Sequence, residues 1–414
     1  MEKLTSFVSE HINDDTTRLI LDRAKWPEVD MDLAVNCIES RRKLKGKVQE
    51  WYDEPGLIFP RRLSAEQCSS SATGEYKANV AEKIAGRSDF RLADLTGGLG
   101  VDSWFFSKKA MQVMYCELLP ELCNAAGNNF KVLDATNIII RNVAVSDSNM
   151  ANDSIFHTPS QILADFHPDI VYMDPARRGE GGKKVFLIED CTPDVLTLKD
   201  EIFKHTRNIL LKLSPMADIT MVCERLGRCC REMHIVAAGG ECKELLVWMD
   251  REWNDDYTIH AVELHKDRQN GTFSFTQDEE KNAVKACCNG NSFLFEPGKA
   301  LMKSGAFNLI SERFEIAKLG CSTHYYTFDE EHKAEELKQH GKVFRIIRIE
   351  PLDKRTIKAA GKEFPKAEVT ARNIPMDTDT LRKKLGVTSG DDAHIFGLKS
   401  DTSGMLLLIC SPIN

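Results

Sequence analysis

The stretch Phe90-Arg91-Leu92-Ala93-Asp94-Leu95-Thr96-Gly97-Gly98-Leu99-Gly100-Val101-Asp102 decides the fold. Its apolar run up to Asp94 reads as a buried parallel strand reaching the carboxyl edge of a sheet. Gly97, Gly98 and Gly100 follow at once, and Trp104-Phe105-Phe106 begins a helix. Glycines at that junction let the backbone turn sharply and approach a ligand closely. A strand edge facing a helix N-terminus is where open sheets bind nucleotides. A second strand, Val113-Met114-Tyr115-Cys116, ends on Glu117. An acid at that position binds ribose hydroxyls in nucleotide folds. A glycine cluster alone is as often a plain turn; the strand before it, the helix after it and the acid beyond favour a binding loop.

Two nucleotide readings compete. The dinucleotide pattern Gly-x-Gly-x-x-Gly/Ala, counted from Gly98 and Gly100, puts Ser103 at its third position. It also has no use for an acid three residues before the first glycine. The pattern Asp94-x-Thr96-Gly97-Gly98-x-Gly100 instead resembles motif I of the class I S-adenosylmethionine-dependent methyltransferases. The resemblance implies that Asp94 helps to hold the methionine amino group of the cofactor. Glu117 would hold its ribose, with Thr96, Gly97, Gly98 and Gly100 around it.

A chain of 414 residues suggests two to four domains. No run of about 18 apolar residues occurs, and Met1-Glu2-Lys3-Leu4-Thr5 lacks the apolar segment of a signal peptide, so a cytoplasmic location is expected. The thirteen cysteines are scattered without a Cys-x-x-Cys, and the adjacent pairs Cys229-Cys230 and Cys287-Cys288 do not suit one zinc ion. Buried thiols are the expectation, with no metal. A net charge of −8 argues against an indiscriminate nucleic-acid coat but leaves room for a local basic face.

Residues 1–85 read as a helical region. Asp14 and Asp30 are candidate caps, and Leu33, Cys37, Arg41, Leu44, Val48 and Trp51 recur at helical spacing. Arg41, Arg42, Lys43, Lys45 and Lys47 form a basic run, either a solvated face or a phosphate site. Ser64 with Gln67 forms a capping box for a helix that Gly86 closes. The polar residues Ser69, Ser70, Thr73, Tyr76 and Lys77 within it match the place of motif X, beside the methionine end of the cofactor, or an exposed face.

Residues 86–250 alternate strand and helix. Pro120 starts the helix after the second strand, and Asn137 to Val145 is the third strand. Asp147 beyond it is the candidate for the adenine amine. The fourth strand, Asp169 to Met173, leads into Asp174-Pro175-Ala176-Arg177-Arg178, and the fifth, Asn208 to Leu213, into Ser214-Pro215. Met233–Val236 and Leu245–Trp248, joined through Gly239-Gly240, read as an antiparallel hairpin. Residues 251–340 read as a compact α+β unit: strands Thr258 to Leu264 and Thr272 to Phe275 around the turn Asn270-Gly271, a strand Phe293–Phe295, and a helix Lys299 to Ala317. Residues 341–414 follow as strand, helix, strand, helix and two strands. Within 341–386 twelve Lys and Arg face six acids, so this segment is basic in an acidic chain.

Methyl transfer from a sulfonium is an in-line displacement, so a protein contributes mainly position and exclusion of water. Asp174, Pro175 and Arg177 are the catalytic candidates: the acid accepts a hydrogen bond from an amine or ring N–H, and the proline stiffens the loop. Arg178, Lys212 and Ser214 are candidate substrate contacts, as are Arg382, Lys383 and Lys384 in the basic segment. Asp-Pro-Ala-Arg loops also occur in RNA uridine-C5 methyltransferases, but Lys212-Leu213-Ser214-Pro215-Met216 lacks their cysteine nucleophile and Cys191 is a poor substitute.

Taken whole, the chain resembles the class I methyltransferases that end in a THUMP-like domain, with a ferredoxin-like insert around Glu296-Pro297-Gly298 to Gly305. The resemblance implies a Rossmann-like class I methyltransferase sheet, an N-terminal helical region and two C-terminal α+β domains. It also implies S-adenosyl-L-methionine as cofactor and structured RNA, tRNA or rRNA, as substrate. Non-covalent N-methylation of a nucleobase is the favoured expectation. A protein or small-molecule methyltransferase, or an RNA-binding module without turnover, are the alternatives.

Overall fold

The computed structural model describes residues 2–147, 154–177, 188–284 and 291–413. The chain forms two compact units, Met1–Met233 with Lys243–Tyr257, and His234–Cys242 with Thr258–Asn414.

The first unit opens with α1 (Glu2–Glu10), α2 (Thr16–Leu21), α3 (Met31–Leu44) and α4 (Gln49–Asp53). Asp30 caps α3, whereas α2 is capped by Asp15, not Asp14. Two adjacent acids carry the same side-chain acceptor, and only backbone geometry chooses between them. Cys37, Arg41, Leu44, Val48 and Trp51 are all buried. The basic run is largely structural: Arg41 donates to the carbonyls of Tyr52 and Pro55, Arg42 to those of Ile12 and Asp14, and Lys47 to those of Ala65 and Glu66.

The helix expected from Ser64 is two helices, α5 (Arg62–Gln67) and α6 (Ser71–Ala85). The capping box belongs to Ser70 and Thr73, which exchange side-chain and backbone hydrogen bonds and so start a new helix. Gly86 ends it with φ of 65°.

The sheet follows: β1 (Arg91–Asp94), α7 (Val101–Ser107), β2 (Gln112–Cys116), α8 (Pro120–Val132) and β3 (Ile138–Arg141). Then come α9 (Pro159–Leu163), β4 (Ile170–Met173), α10 (Val195–Ile202), β5 (Asn208–Leu213) and α11 (Ile219–Leu226). Strands β6 (Cys230–Ala238) and β7 (Glu241–Asp250) turn through Gly239 and Gly240, both with positive φ. The order β3-β2-β1-β4-β5 is parallel throughout, and β7 runs antiparallel to β5. Reversal of order at β1 opens a crevice at the carboxyl edge between β1 and β4, the ligand site of open α/β sheets. The third strand is shorter than expected. Asn142 interrupts it by donating its amide to the carbonyls of Glu117 and Leu118, and Ala144–Val145 pairs with Phe156–His157 instead.

In the second unit β8 (Thr258–Leu264) pairs antiparallel with β9 (Gly271–Phe275). Gly271 lies inside the strand, so the loop is longer than the expected Asn270-Gly271 turn. Helix α12 (Gln277–Asn282) precedes β10 (Phe293–Pro297). The helix expected from Lys299 to Ala317 is broken into α13 (Lys299–Ser304) and α14 (Leu309–Phe314) by Gly305, whose φ is 82°. After β11 (Tyr326–Phe328) and α15 (Lys333–His340) come β12 (Gly341–Pro351), α16 (Lys354–Glu363), β13 (Lys366–Arg372), α17 (Thr378–Leu385), β14 (Thr388–Ser400) and β15 (Gly404–Pro412). The sheet runs β11-β10-β12-β15-β14-β13, antiparallel except for the parallel pair β13 and β14.

Ile357, Ala360, Leu381 and Leu385 share a buried core, which holds α16 and α17 together. A Cβ on Gly361 would lie 1.8 Å from the carbonyl oxygen of Leu385. Gly361→Ala should therefore destabilise the chain despite alanine's helix preference of about 1 kcal/mol over glycine. A raised melting temperature for the variant would show that the two helices pack less closely than this.

Candidate functional site

The glycine loop is assembled from the carboxyl ends of β1 and β2. Asp94 is buried and accepts from the Thr96 amide at 3.0 Å and the Ser103 hydroxyl at 2.6 Å. Gly97 packs on the Tyr115 ring, where a Cβ would come within 2.2 Å, and the Tyr115 hydroxyl donates to the Gly98 carbonyl at 2.6 Å. Gly98 has φ of +55°, and a Cβ there would face open space, with Thr96 O at 3.8 Å its nearest neighbour. Glu117 accepts from the amides of Gly98 and Leu119, both at 2.9 Å, which pins the loop to the end of β2. Gly100 caps α7 with φ of 91°. Asp147 follows the short strand Ala144–Val145, apart from β3.

The Asp174 loop leaves β4. Asp174 donates its amide to the Thr96 hydroxyl at 2.6 Å, and that hydroxyl lies 3.4 Å from Asp94, to which it donates. One threonine side chain thus ties both loops. Pro175 is buried, and Ala176–Arg177 pairs antiparallel with Cys191–Thr192. Arg178 lies outside the described residues. Cys191 is fully buried, so it presents no nucleophile. Ser214 turns the chain after β5 and accepts from the Met216 amide.

Behind Asp174 lies a set of charges that local sequence did not reveal. Asp174 Oδ2 takes the Lys212 ammonium at 2.6 Å, and Asp102 Oδ2 lies 4.0 Å from the same nitrogen. Asp102 also accepts from Tyr172 at 2.8 Å and Ser69 at 3.0 Å, and sits 3.4 Å from Lys77. Lys77 in turn meets both oxygens of Glu244, at 2.8 and 2.9 Å, and the Ser69 hydroxyl at 3.0 Å. Of these, Ser69 and Lys77 stood in the upstream segment read as motif X or an exposed face, and both are buried; Lys212 stood as a candidate substrate contact, and Asp102 in the glycine stretch had no role assigned. Tyr172 and Glu244 lie in apolar strands and gave no signal.

The electrostatics follow from burial. Burial pushes Asp94 up to about 7, with Ser103 and Thr96 pulling only partly against it. Burial raises Asp102 too, but Lys77 first and Lys212 next outweigh it, so its carboxyl stays below the ordinary value. Burial disfavours the Lys212 ammonium, yet Asp174, Asp102 and Glu244 hold it well above its usual value. Lys212 therefore stays charged and serves as an ion-pair partner, not as a base.

In the second unit the candidate arginine is engaged: Arg382 lies 3.6 Å from both Glu368 and Asp379. Arg345 pairs with Glu331, and Arg348 with Glu350 and Glu363. Lys383 and Lys384 are exposed on α17, and Lys354, Arg355, Lys358 and Lys362 are exposed on α16.

Residues 341–412 match the profile of a THUMP-like domain family. The C-terminal segment is THUMP-like. Ahead of it, residues 293–334 match a ferredoxin-like domain. Over its whole length the chain is similar to a candidate methyltransferase from Porphyromonas gingivalis W83. Identity is 28%, the TM-score 0.82, and the match covers 100% of this chain and 98% of that one. The α/β sheet with a THUMP-like C-terminus is thus the architecture of that protein as well. An rRNA methylase from Streptococcus thermophilus matches 42% of the chain and 94% of its own, at 9% identity and a TM-score of 0.28. A candidate methyltransferase from Streptococcus mutans in complex with SAH matches 42% and 96%, at 11% and 0.28. Likenesses that low support nothing further. No protein of curated function matches the chain. Among the described residues no helix is long and apolar enough to cross a membrane.

Asp94 provides a pH test of this site. Its folded value lies above its unfolded one, so the cost of ionising it grows as pH rises from about 4 to about 7 and is complete above that. Asp94→Asn, whose amide oxygen still accepts from Thr96 while its NH2 donates to a reoriented Ser103 hydroxyl, should stabilise the chain at pH 8 by no more than about 4 kcal/mol and leave it nearly unchanged near pH 4. Denaturant unfolding at the two pH values measures this, and an equal effect at both would show that Asp94 is not a buried neutral acid.

Proposed function

We propose that this protein is an S-adenosyl-L-methionine-dependent methyltransferase that N-methylates a nucleobase of structured RNA, tRNA or rRNA, in the cytoplasm. The observation that carries the reading is the meeting of two loops at one sheet edge. The glycine loop between Asp94 and Glu117 opens beside an acid, Asp174, held by Lys212. The full-length likeness to a candidate methyltransferase supports it, as does the THUMP-like segment.

The residues present suit the cofactor. Gly98 leaves open space where a side chain would stand, and Asp94 is a buried carboxyl without a cation among its hydrogen-bond partners. Asp94 would take the methionine amino group, Glu117 the ribose and Asp147 the adenine amine, with Thr96, Gly97 and Gly100 shaping the loop. When bound, the cofactor supplies an electrophilic methyl group. The chain's own part is to hold the acceptor in line and exclude water. Asp174 accepts a hydrogen bond from the acceptor amine, while Pro175 and the backbone at Arg177 fix the loop. Arg178 and Ser214 are proposed substrate contacts, with Lys212 acting through Asp174. In this reading residues 86–250 form the catalytic domain, 251–340 the ferredoxin-like domain and 341–414 the RNA-gripping one.

A second reading is methylation of a protein or small molecule. It gains from the ion pairs that occupy Arg345, Arg348 and Arg382, since cations already paired contribute less to phosphate binding. The exposed lysines of α16 and α17 favour RNA.

Calorimetry should show S-adenosylmethionine binding by the wild type and none by Gly98→Val, which places a branched residue at a positive φ in the ligand space. Asp174→Ala should keep cofactor affinity within a few fold and lower methyl transfer at least about a hundredfold; loss of cofactor binding in a folded Asp174→Ala would move the acceptor site elsewhere. The RNA part is tested by salt. Affinity for tRNA or rRNA fragments should fall steeply between about 50 and 200 mM salt, and Arg382→Glu/Lys383→Glu/Lys384→Glu should weaken binding and flatten that slope. Salt-insensitive or absent RNA binding by the wild type would leave the second reading standing.

A further inference from the structure

The buried charges behind Asp174 form an alternating string: Glu244, Lys77, Asp102, Lys212, Asp174. It joins β7, α6, α7, β5 and the loop after β4. Side-chain exposure is 3% at Glu244 and 0% at Lys77 and then rises through 11 and 12% to 37% at Asp174, so the string opens to the surface at its Asp174 end. Two carboxylates compete for Lys212. Asp174 has it at 2.6 Å and Asp102 stands at 4.0 Å. A flexible lysine goes to the acid that is otherwise least satisfied, because an unpaired buried carboxylate is costly.

Asp102 is satisfied from behind. Tyr172 and Ser69 donate to its Oδ2, and its Oδ1, which accepts no hydrogen bond, lies 3.4 Å from the Lys77 ammonium. Lys77 is itself fixed, with both Glu244 oxygens and Ser69 around it. Resting on the methyltransferase reading above, we propose that Lys77 is a positioning residue: by holding Asp102 it leaves Lys212 on Asp174, and so fixes the acid that receives the acceptor amine. Glu244 anchors Lys77. The helix upstream of the glycine loop thereby sets the geometry of the acceptor loop without touching substrate.

The experiment compares full-length wild type, Lys77→Met and Lys77→Met/Glu244→Gln. Crystal structures without acceptor report where Lys212 goes, and transfer of labelled methyl groups from S-adenosylmethionine to bulk tRNA and rRNA reports the consequence. In Lys77→Met the Lys212 nitrogen should move onto Asp102 and leave Asp174 by more than about 4 Å, the limit of an ion pair. Methyl-transfer kcat should fall at least about tenfold at unchanged RNA KM, with cofactor affinity within about threefold. The double variant also neutralises Glu244, so that acid is not left unpaired, but Asp102 still lacks Lys77; Lys212 should therefore stay on Asp102 and kcat should remain as low as in the single variant, while stability is recovered. A role in neutralising Glu244 alone predicts instead that the double variant regains kcat together with stability, and that outcome overturns the proposal. Folded Lys77→Met with Lys212 still on Asp174 overturns the proposal whatever its activity. Should Lys77→Met not fold, Lys77→Gln keeps a hydrogen-bond donor toward Glu244 but removes the charge that faces Asp102; the same shift of Lys212 is expected there, and its absence overturns the proposal. If Lys212 moves as expected but the wild type methylates no RNA, the positioning role stands and the proposed substrate falls.

Discussion

An ammonium with no solvent exposure must be answered by the protein, and Lys77 is such a group. Leaving it alone would cost several kcal/mol, so its partners are fixed as strictly as any core contact. Glu244 must reach it from β7, Ser69 from the turn before α6, and Asp102 from the first turn of α7. Steric fit reinforces the same seam. Gly74, three residues earlier on α6, packs where a Cβ would meet the Phe105 ring of α7 at 2.2 Å. Helix α6 is thus locked to α7 by close contact at one residue and by charge at the next turn. The reversed last strand is part of that lock, because only its direction brings Glu244 to the same end as Asp174.

Much of this was legible in the order of residues. The strand, the glycines, the helix and the acid after the second strand are consecutive, and local backbone rules act on consecutive residues. The reversed strand showed through its glycine turn. What escaped was of two kinds. Boundaries failed where a competing cap or turn sat within a few residues, as with Asp15 beside Asp14, Ser70 beyond Ser64, Asn142 in the third strand and Gly305 in the helix after Lys299. The buried string failed for a different reason. Ser69 with Lys77, Asp102, Lys212 and Glu244 come from four separate stretches of sequence, and although Ser69, Lys77 and Lys212 were singled out one by one, nothing local told that they would meet.

The basic C-terminal segment teaches a related limit of composition. A count of cations sees their number and not their company. Arg345, Arg348 and Arg382 are paired with acids of the same unit, whereas the lysines of α16 and α17 project outward. Much of the exposed positive charge is therefore carried by two helices, and Gly361 lets those helices pack closely.

The hydroxyl of Thr96 receives the Asp174 amide and donates to Asp94, so the loop that shapes the glycine cradle and the loop that carries the acid share one atom. A ligand that draws Asp94 away from Thr96 changes what that oxygen offers to Asp174, and a ligand that lifts Asp174 changes what it offers to Asp94. Such an arrangement is a thermodynamic linkage. Any factor by which occupancy of one loop changes affinity at the other must be returned in equal measure.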